Sequence, residues 1–160
     1  MTLPLSNLLV CGTPGTGKTT VCKALESKLK LKRLNISELV IQHDLHEGYD
    51  DEFDTFIVDD DKLLAHVEPL LLQGGYIVES HIIDIFPDHF FNKVIVLRCD
   101  NSILYKRLSN RKYLQNKITE NISAEIMEVI LQEAMELYPN KVIACRNDSK
   151  SDLTRIVDDS

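Results

Sequence analysis

Residues 11–20 read CGTPGTGKTT, and positions 12 to 17 within them hold three of the six glycines in this 160-residue chain. Glycine lets bare backbone N–H groups approach an anion without a Cβ in the way. The run Gly12-Thr-Pro-Gly-Thr-Gly-Lys18-Thr19 satisfies G-x-x-x-x-G-K-[ST] in full, a pattern whose parts each meet a phosphate or its metal. Upstream, the apolar Leu8, Leu9, Val10 and Cys11 read as a parallel strand buried on both faces. Downstream, Val21, Ala24, Leu25 and Leu29 recur at helical spacing. The loop therefore joins a strand to a helix, as the motif requires. N–H groups from Gly15 through Thr16 and Gly17 to Thr19 would hold phosphates, Lys18 would reach the β and γ oxygens, and the Thr19 hydroxyl would bind Mg²⁺. Thr20 would add an α-phosphate contact. The intact Lys-Thr ending weighs against a turn that merely connects two elements.

Outward from the loop, the length fits one domain over residues 1–160 with a single core. No apolar run approaches the roughly 20 residues of a membrane span, so no membrane role is expected. Residues 1–6 lack a basic segment and lead directly to the glycine loop, which predicts no secretory signal and a protein kept inside the cell. Cys11, Cys22, Cys99 and Cys145 are scattered, without a C-x-x-C pair, and read as buried thiols. A net charge of −7, from 18 basic and 25 acidic side chains, argues against nucleic acid as the main partner and suits a basic one. The acidic run over residues 47–61, EGYDDEFDTFIVDDD, reads as a solvated loop in preference to a docking site for a basic protein.

Elsewhere strands and helices alternate. Residues 35–38 predict a capped helix start running into Leu39 and Ile41, and Leu63 to Leu71 predict a helix closed by Gly74-Gly75. Residues 76–78 read as a second buried strand, 93–98 as a third strand and 142–145 as a fourth. Residues 103–108 predict a helix, 126–137 one longer helix, and 153–157 a short terminal one. Together they predict an α/β domain with a mostly parallel sheet covered on both faces and ligands at the strands' carboxyl ends.

A nucleoside-triphosphate site also needs a carboxylate near its magnesium, and Glu79 closes the second apolar strand. His81, two residues on, would point the same way in an extended chain. The guanine-reading pattern N-K-x-D is absent, as is D-x-x-G, so a kinase or ATPase is expected in place of a GTP switch. Arg98, Arg107 and Arg111 follow the third strand, the last two on one helical face where they can converge on a phosphate. Residues 112–119 are polar and weakly periodic, which suggests a short lid excluding water; a salt-bridged helix running into a plain loop is the other reading.

Taken together, GTPGTGKTT, HEGYDDEFDTFIVDDD, GGYIVESH with FPDHFF, VLRCDNSILYKRLSNRKY and KITENISAEI resemble, in order and over nearly the whole chain, the adenylate kinase isoenzyme 6 family, also described as coilin-interacting nuclear ATPases. The resemblance implies a P-loop NTPase of adenylate-kinase-like three-layer fold, with a short monophosphate-binding part at about 35–73 and a short lid at about 111–120. It implies adenylate kinase activity (ATP with AMP giving two ADP), ATP hydrolysis, and action in late small-ribosomal-subunit maturation through a small-subunit ribosomal protein on the pre-ribosome, in nucleus and cytoplasm. By position, Gly12 to Thr20 and Arg107 would bind ATP, and Glu79 and His81 would occupy the family's D-x-H motif. Thr19 and Glu79 would hold Mg²⁺, while Lys18, His81, Arg107 and Arg111 would serve catalysis. Arg146, Asn147 and Asp148 would form the loop covering adenine. Three departures stand out: Glu79 replaces an aspartate, Ile41 stands where the family commonly has a basic residue near the AMP phosphate, and the chain ends short of the family's longer closing helix. Two other readings stay open, an ATPase assembly factor holding a basic ribosomal protein and a P-loop kinase for another small metabolite.

Overall fold

The computed structural model describes residues 6–160; the expectation about a signal segment falls mostly on residues 1–5, outside those described. Five strands form one parallel sheet: β1 (Leu8–Gly12), β2 (Lys32–Asn35), β5 (Tyr76–Ser80), β6 (Lys93–Arg98) and β7 (Val142–Arg146). They lie in the order β2-β5-β1-β6-β7. Central β1 pairs with β5 and β6 in parallel register, so Val10 lies between Glu79 and Ile95. All five of its residues are buried, and this burial on both faces is why the segment reads as unbroken apolar sequence.

Alternation along β1 divides the core. Leu9 and Cys11 face a layer holding α2 (Ile36–Gln42), α3 (Asp60–Gln73) and α6 (Val129–Leu137), with Val40, Leu63, Val67 and Ala134. Leu8 and Val10 face α1 (Lys18–Leu29) and α7 (Lys150–Asp158), with Val21, Leu25 and Ile156. The result is the expected helix–sheet–helix sandwich. A third cluster, Leu104, Leu108 and Ile118, clamps α4 (Asn101–Asn110) to α5 (Gln115–Ile126). Among the described residues no helix is long and apolar enough to cross a membrane.

Four local expectations need correction. β2 was not anticipated: its KRLN sequence lies at the sheet edge, partly exposed, and lacks an apolar signature. The acidic run is not a plain solvated loop. It folds as an antiparallel hairpin of β3 (His46–Asp50) and β4 (Thr55–Val58), with Tyr49 edge-on to Phe56. Asp50 turns the chain by accepting from the N–H groups of Glu52 and Phe53, and Asp59 caps α3 by accepting from Lys62 N. Residues 115–126 are helical, burying Ile118 and Glu125 on one side. The helix expected over 126–137 begins only at Val129, as α6, because Glu128 adopts φ 57° and breaks the path; Ile126 instead closes α5. Asn35 caps α2 through Glu38 N, and Gly74 ends α3, both as expected. The four cysteines are free; Cys11, Cys22 and Cys99 are buried and Cys145 is half-buried.

Asn7 ties the sheet's amino end together. Its Nδ2 donates to the carbonyls of Leu71 (2.8 Å) and Phe90 (2.9 Å), while Oδ1 accepts from Tyr76 N at 3.1 Å. Asn7→Ala strands two buried backbone carbonyls and the half-buried Tyr76 N–H and is expected to cost about 2–3 kcal/mol in denaturant unfolding, with no change in nucleotide affinity.

Candidate functional site

The glycine loop leaves β1 and enters α1 at Gly17, which takes a left-handed φ of 91°. An added Cβ there would strike Asn147 Nδ2, so both backbone and space demand glycine. No side chain among the described residues caps α1, and its first turn carries no acid. Its leading N–H groups and the helix dipole are thus open to an anion.

Lys18 folds back across the loop, donating from Nζ to the carbonyls of Gly12 (2.9 Å) and Thr13 (3.3 Å). Burial lowers its pKa to about 8, against the pull of Glu79. Gly12 and Thr16 serve the loop's shape. A Cβ on Gly12 would lie 2.9 Å from the Leu97 carbonyl, and the buried Thr16 hydroxyl donates to Thr13 O at 2.7 Å. The Thr16 N–H also points to that carbonyl, so Thr16 faces inward and lines neither cavity described below.

Glu79 is 5% exposed at the end of β5. Its Oε2 accepts from Thr19 Oγ1 (2.5 Å) and Asn35 Nδ2 (2.8 Å), and Oε1 pairs with Arg33 Nη1 at 2.9 Å. Sequence reasoning missed Arg33 and took Asn35 for a helix cap without its contact to Glu79, because both sit on the unrecognised β2, whose register sets Asn35 beside Glu79. Thr19 and Glu79 together are an all-oxygen pair suited to Mg²⁺, which takes one or two protein oxygens and completes its shell with phosphate and water. No cluster of three or more His, Cys, Asp or Glu suited to a metal occurs among the described residues. Magnesium would therefore depend on the triphosphate it accompanies.

Two cavities flank the loop. One, of about 430 Å³, is lined by Lys18, Thr19, Glu79, His81 and Arg111, with Ile41, Tyr49, Phe56, Tyr113 and Lys117 across from them. The other, of about 410 Å³, is lined by Gly15, Gly17, Thr20, Arg107, Arg111 and Asn147 with residues 148–150 and Leu153. Arg111 borders both. Arg107 Nη1 donates to Gly15 O at 3.2 Å, and Asn147 Nδ2 to Thr16 O at 2.9 Å, so α4 and the β7–α7 turn grip the loop from outside. His81 and Glu79 share the first cavity, as expected. Burial, with Lys18 and Lys117 nearby, lowers the His81 pKa to about 4, so the ring is neutral at physiological pH.

Arg98 does not join the other arginines. Its Nε pairs with Glu125 at 2.7 Å and its Nη1 with Glu128 at 2.8 Å, and the same Glu125 accepts from Thr13 Oγ1 and Cys99 N. Arg146 is exposed, paired with Asp148, and lies outside both cavities. Residues missed by sequence reasoning are Tyr49 and Phe56, hidden in the acidic run, and Tyr113 just before α5 with Lys117 in its first turn.

A five-stranded parallel sheet with an intact phosphate loop, and its carboxylate on the adjoining strand, defines a P-loop kinase. Shikimate kinase from Bacteroides thetaiotaomicron shares the fold, with a TM-score of 0.64 at 15% identity over 96% of this chain and 95% of that one. A family model described as an AAA domain matches residues 8–128. Adenylate kinase isoenzyme 6 homolog FAP7 of Saccharomyces cerevisiae is 49% identical over 149 residues, 92% of this chain and 76% of that protein. The adenylate kinase isoenzyme 6 homolog of Drosophila melanogaster is 40% identical over 147 residues, 91% of this chain and 84% of that protein. The chain belongs to the adenylate kinase isoenzyme 6 family.

Proposed function

We propose that the protein is a MgATP-dependent nucleoside monophosphate kinase that transfers the γ-phosphoryl of ATP to AMP, releasing two ADP, with slow hydrolysis beside it. One observation carries this reading: two cavities of similar volume meet at the phosphate loop and share Arg111. ATP would lie with its adenosine beside Thr20, Arg107 and Asn147 and its γ-phosphate over Lys18. The acceptor would enter from the hairpin side. Lys18, Arg107 and Arg111 would spread the charge of the transferring group, Thr19 and Glu79 would place magnesium and its waters, and neutral His81 would donate or accept a hydrogen bond. Coupled measurement of ADP formation from ATP plus AMP, beside phosphate release from ATP alone, tests it. ADP formation should rise on adding AMP and exceed phosphate release, and ADP formation that AMP leaves unchanged would overturn the reading.

A second reading has its own support. Ile41, 57% exposed, presents an apolar side chain to the acceptor cavity, and the chain carries a net charge of −7. Both suit an ATPase that holds a basic small-subunit ribosomal protein during pre-ribosome maturation, in nucleus and cytoplasm, with kinase activity incidental. Repeating both assays with such a protein present separates the two, since only this reading expects the partner to change phosphate release.

The pH dependence follows from the two shifted groups. Lys18 must be charged to meet phosphate, and its folded pKa of about 8 lies below the ordinary 10.5. kcat/KM for ATP, which reports free-enzyme ionisations, should fall as pH rises through about 8. His81, held near 4, should add no inflection near 6.5.

A further inference from the structure

We propose that Lys117, on the lid helix α5, is the cation that holds the acceptor's phosphate; this rests on the monophosphate-kinase reading above. An acceptor dianion entering a cavity beside a triphosphate needs positive charge of its own, because its approach is otherwise repelled. Ile41 supplies none. The strongly basic side chains along the acceptor cavity are Lys18, Arg111 and Lys117. Lys18 is committed to the loop and the donor phosphates, and Arg111 borders both cavities. Lys117 lines the acceptor side alone.

The ionic state of these groups sorts them further. Arg33, Arg98 and Arg146 are each paired with a carboxylate, to Glu79, to Glu125 and Glu128, and to Asp148. Lys117 has no carboxylate within 4.0 Å among the described residues, although the chain is strongly acidic. Its ammonium donates instead to Asp54 O at 3.1 Å and lies 4.3 Å from the centre of the Tyr113 ring. An ammonium has three donors. One goes to the hairpin carbonyl, leaving two for a ligand, and the ring holds the stem in place without neutralising it.

Position completes the argument. Asn116 and Lys117 both reach the hairpin tip, donating to Glu52 O and Asp54 O. The hairpin also carries Tyr49 and Phe56, rings 5.2 Å apart that offer an apolar wall to a base. Base on the hairpin and phosphate under Lys117 would place the acceptor between lid and hairpin, with its free oxygen turned to Lys18 and the γ-phosphate.

Lys117→Met in the full chain tests this, with AMP and adenosine each titrated while a non-hydrolysable ATP analogue fills the donor side. AMP affinity should fall about 10- to 100-fold, as for a lost hydrogen bond to a charged group. Adenosine, with no phosphate, should lose under about threefold. The second variant, Lys117→Met with Ile41→Arg, returns a cation to the cavity from α2 without restoring the Asp54 contact, and should recover most of the AMP affinity. Equal losses for AMP and adenosine without rescue would make Lys117 a lid fastener and overturn the proposal. So would unchanged AMP affinity in the single variant. Wild-type protein that binds no AMP would instead overturn the monophosphate-kinase reading itself, which keeps the two failures distinct.

Discussion

Lys18→Ala is expected to lower kcat/KM for phosphoryl transfer by about 100- to 1,000-fold, the effect of deleting one preorganised donor aimed at developing charge. The lysine is held by two loop carbonyls, Gly12 O and Thr13 O, before any ligand arrives, so little reorganisation is needed when phosphate replaces them. Its fold contribution runs the other way. Burial disfavours the charged ammonium and lowers its pKa to about 8, so the alanine variant should unfold at the same temperature as wild type or higher. Arginine should not rescue the activity, because a planar fork cannot occupy the space of a compact ammonium. Single-turnover assays beside a thermal melt measure both, and turnover within threefold of wild type would remove Lys18 from the mechanism.

Arg98→Ala is expected to cost about 3–5 kcal/mol of stability, the range for leaving one member of a buried ion pair alone. The orphaned group is Glu125, 4% exposed, which among the described residues would keep Thr13 Oγ1 and Cys99 N as partners. Because Thr13 belongs to the phosphate loop, ATP affinity should fall as well. Arg98→Met combined with Glu125→Leu should return most of the stability, since a packed apolar pair avoids the desolvation of two charges. Denaturant midpoints give the first result and an ATP titration the second.

Arg98 also illustrates what a one-dimensional reading misses. Three arginines after one strand look alike by spacing, yet the carboxylates that claim Arg98 lie 27 and 30 residues away, one on α5 and one in the hidden break that follows it. The helix itself had a signal in Ile118, Ile122 and Glu125, which recur at helical spacing, but the polar residues between them masked it. Strands β1, β5, β6 and the phosphate loop were legible because full burial writes continuous apolar runs, and because a loop that cradles phosphate tolerates few residue types. β2 and the hairpin were not. An edge strand such as KRLN and an acidic hairpin closed by Asp50 and a left-handed Asp54 (φ 51°) carry no alternation to detect. The wall of the first cavity that carries Asn35, Tyr49 and Phe56 was the harder part to foresee, for it comes from those segments.

That division has a consequence for how the molecule opens. The phosphate loop hangs from β1, a strand flanked on both edges and sealed in two hydrophobic layers. The hairpin is a separate two-strand ribbon, an arrangement of marginal stability in isolation. It meets α5 through hydrogen bonds at an exposed tip. Amide hydrogens of residues 46–58 should exchange with solvent through local fluctuations, while those of β1 should wait for global unfolding. The hairpin wall of the first cavity can thus open and close by local fluctuation while the phosphate loop keeps its place on the sheet.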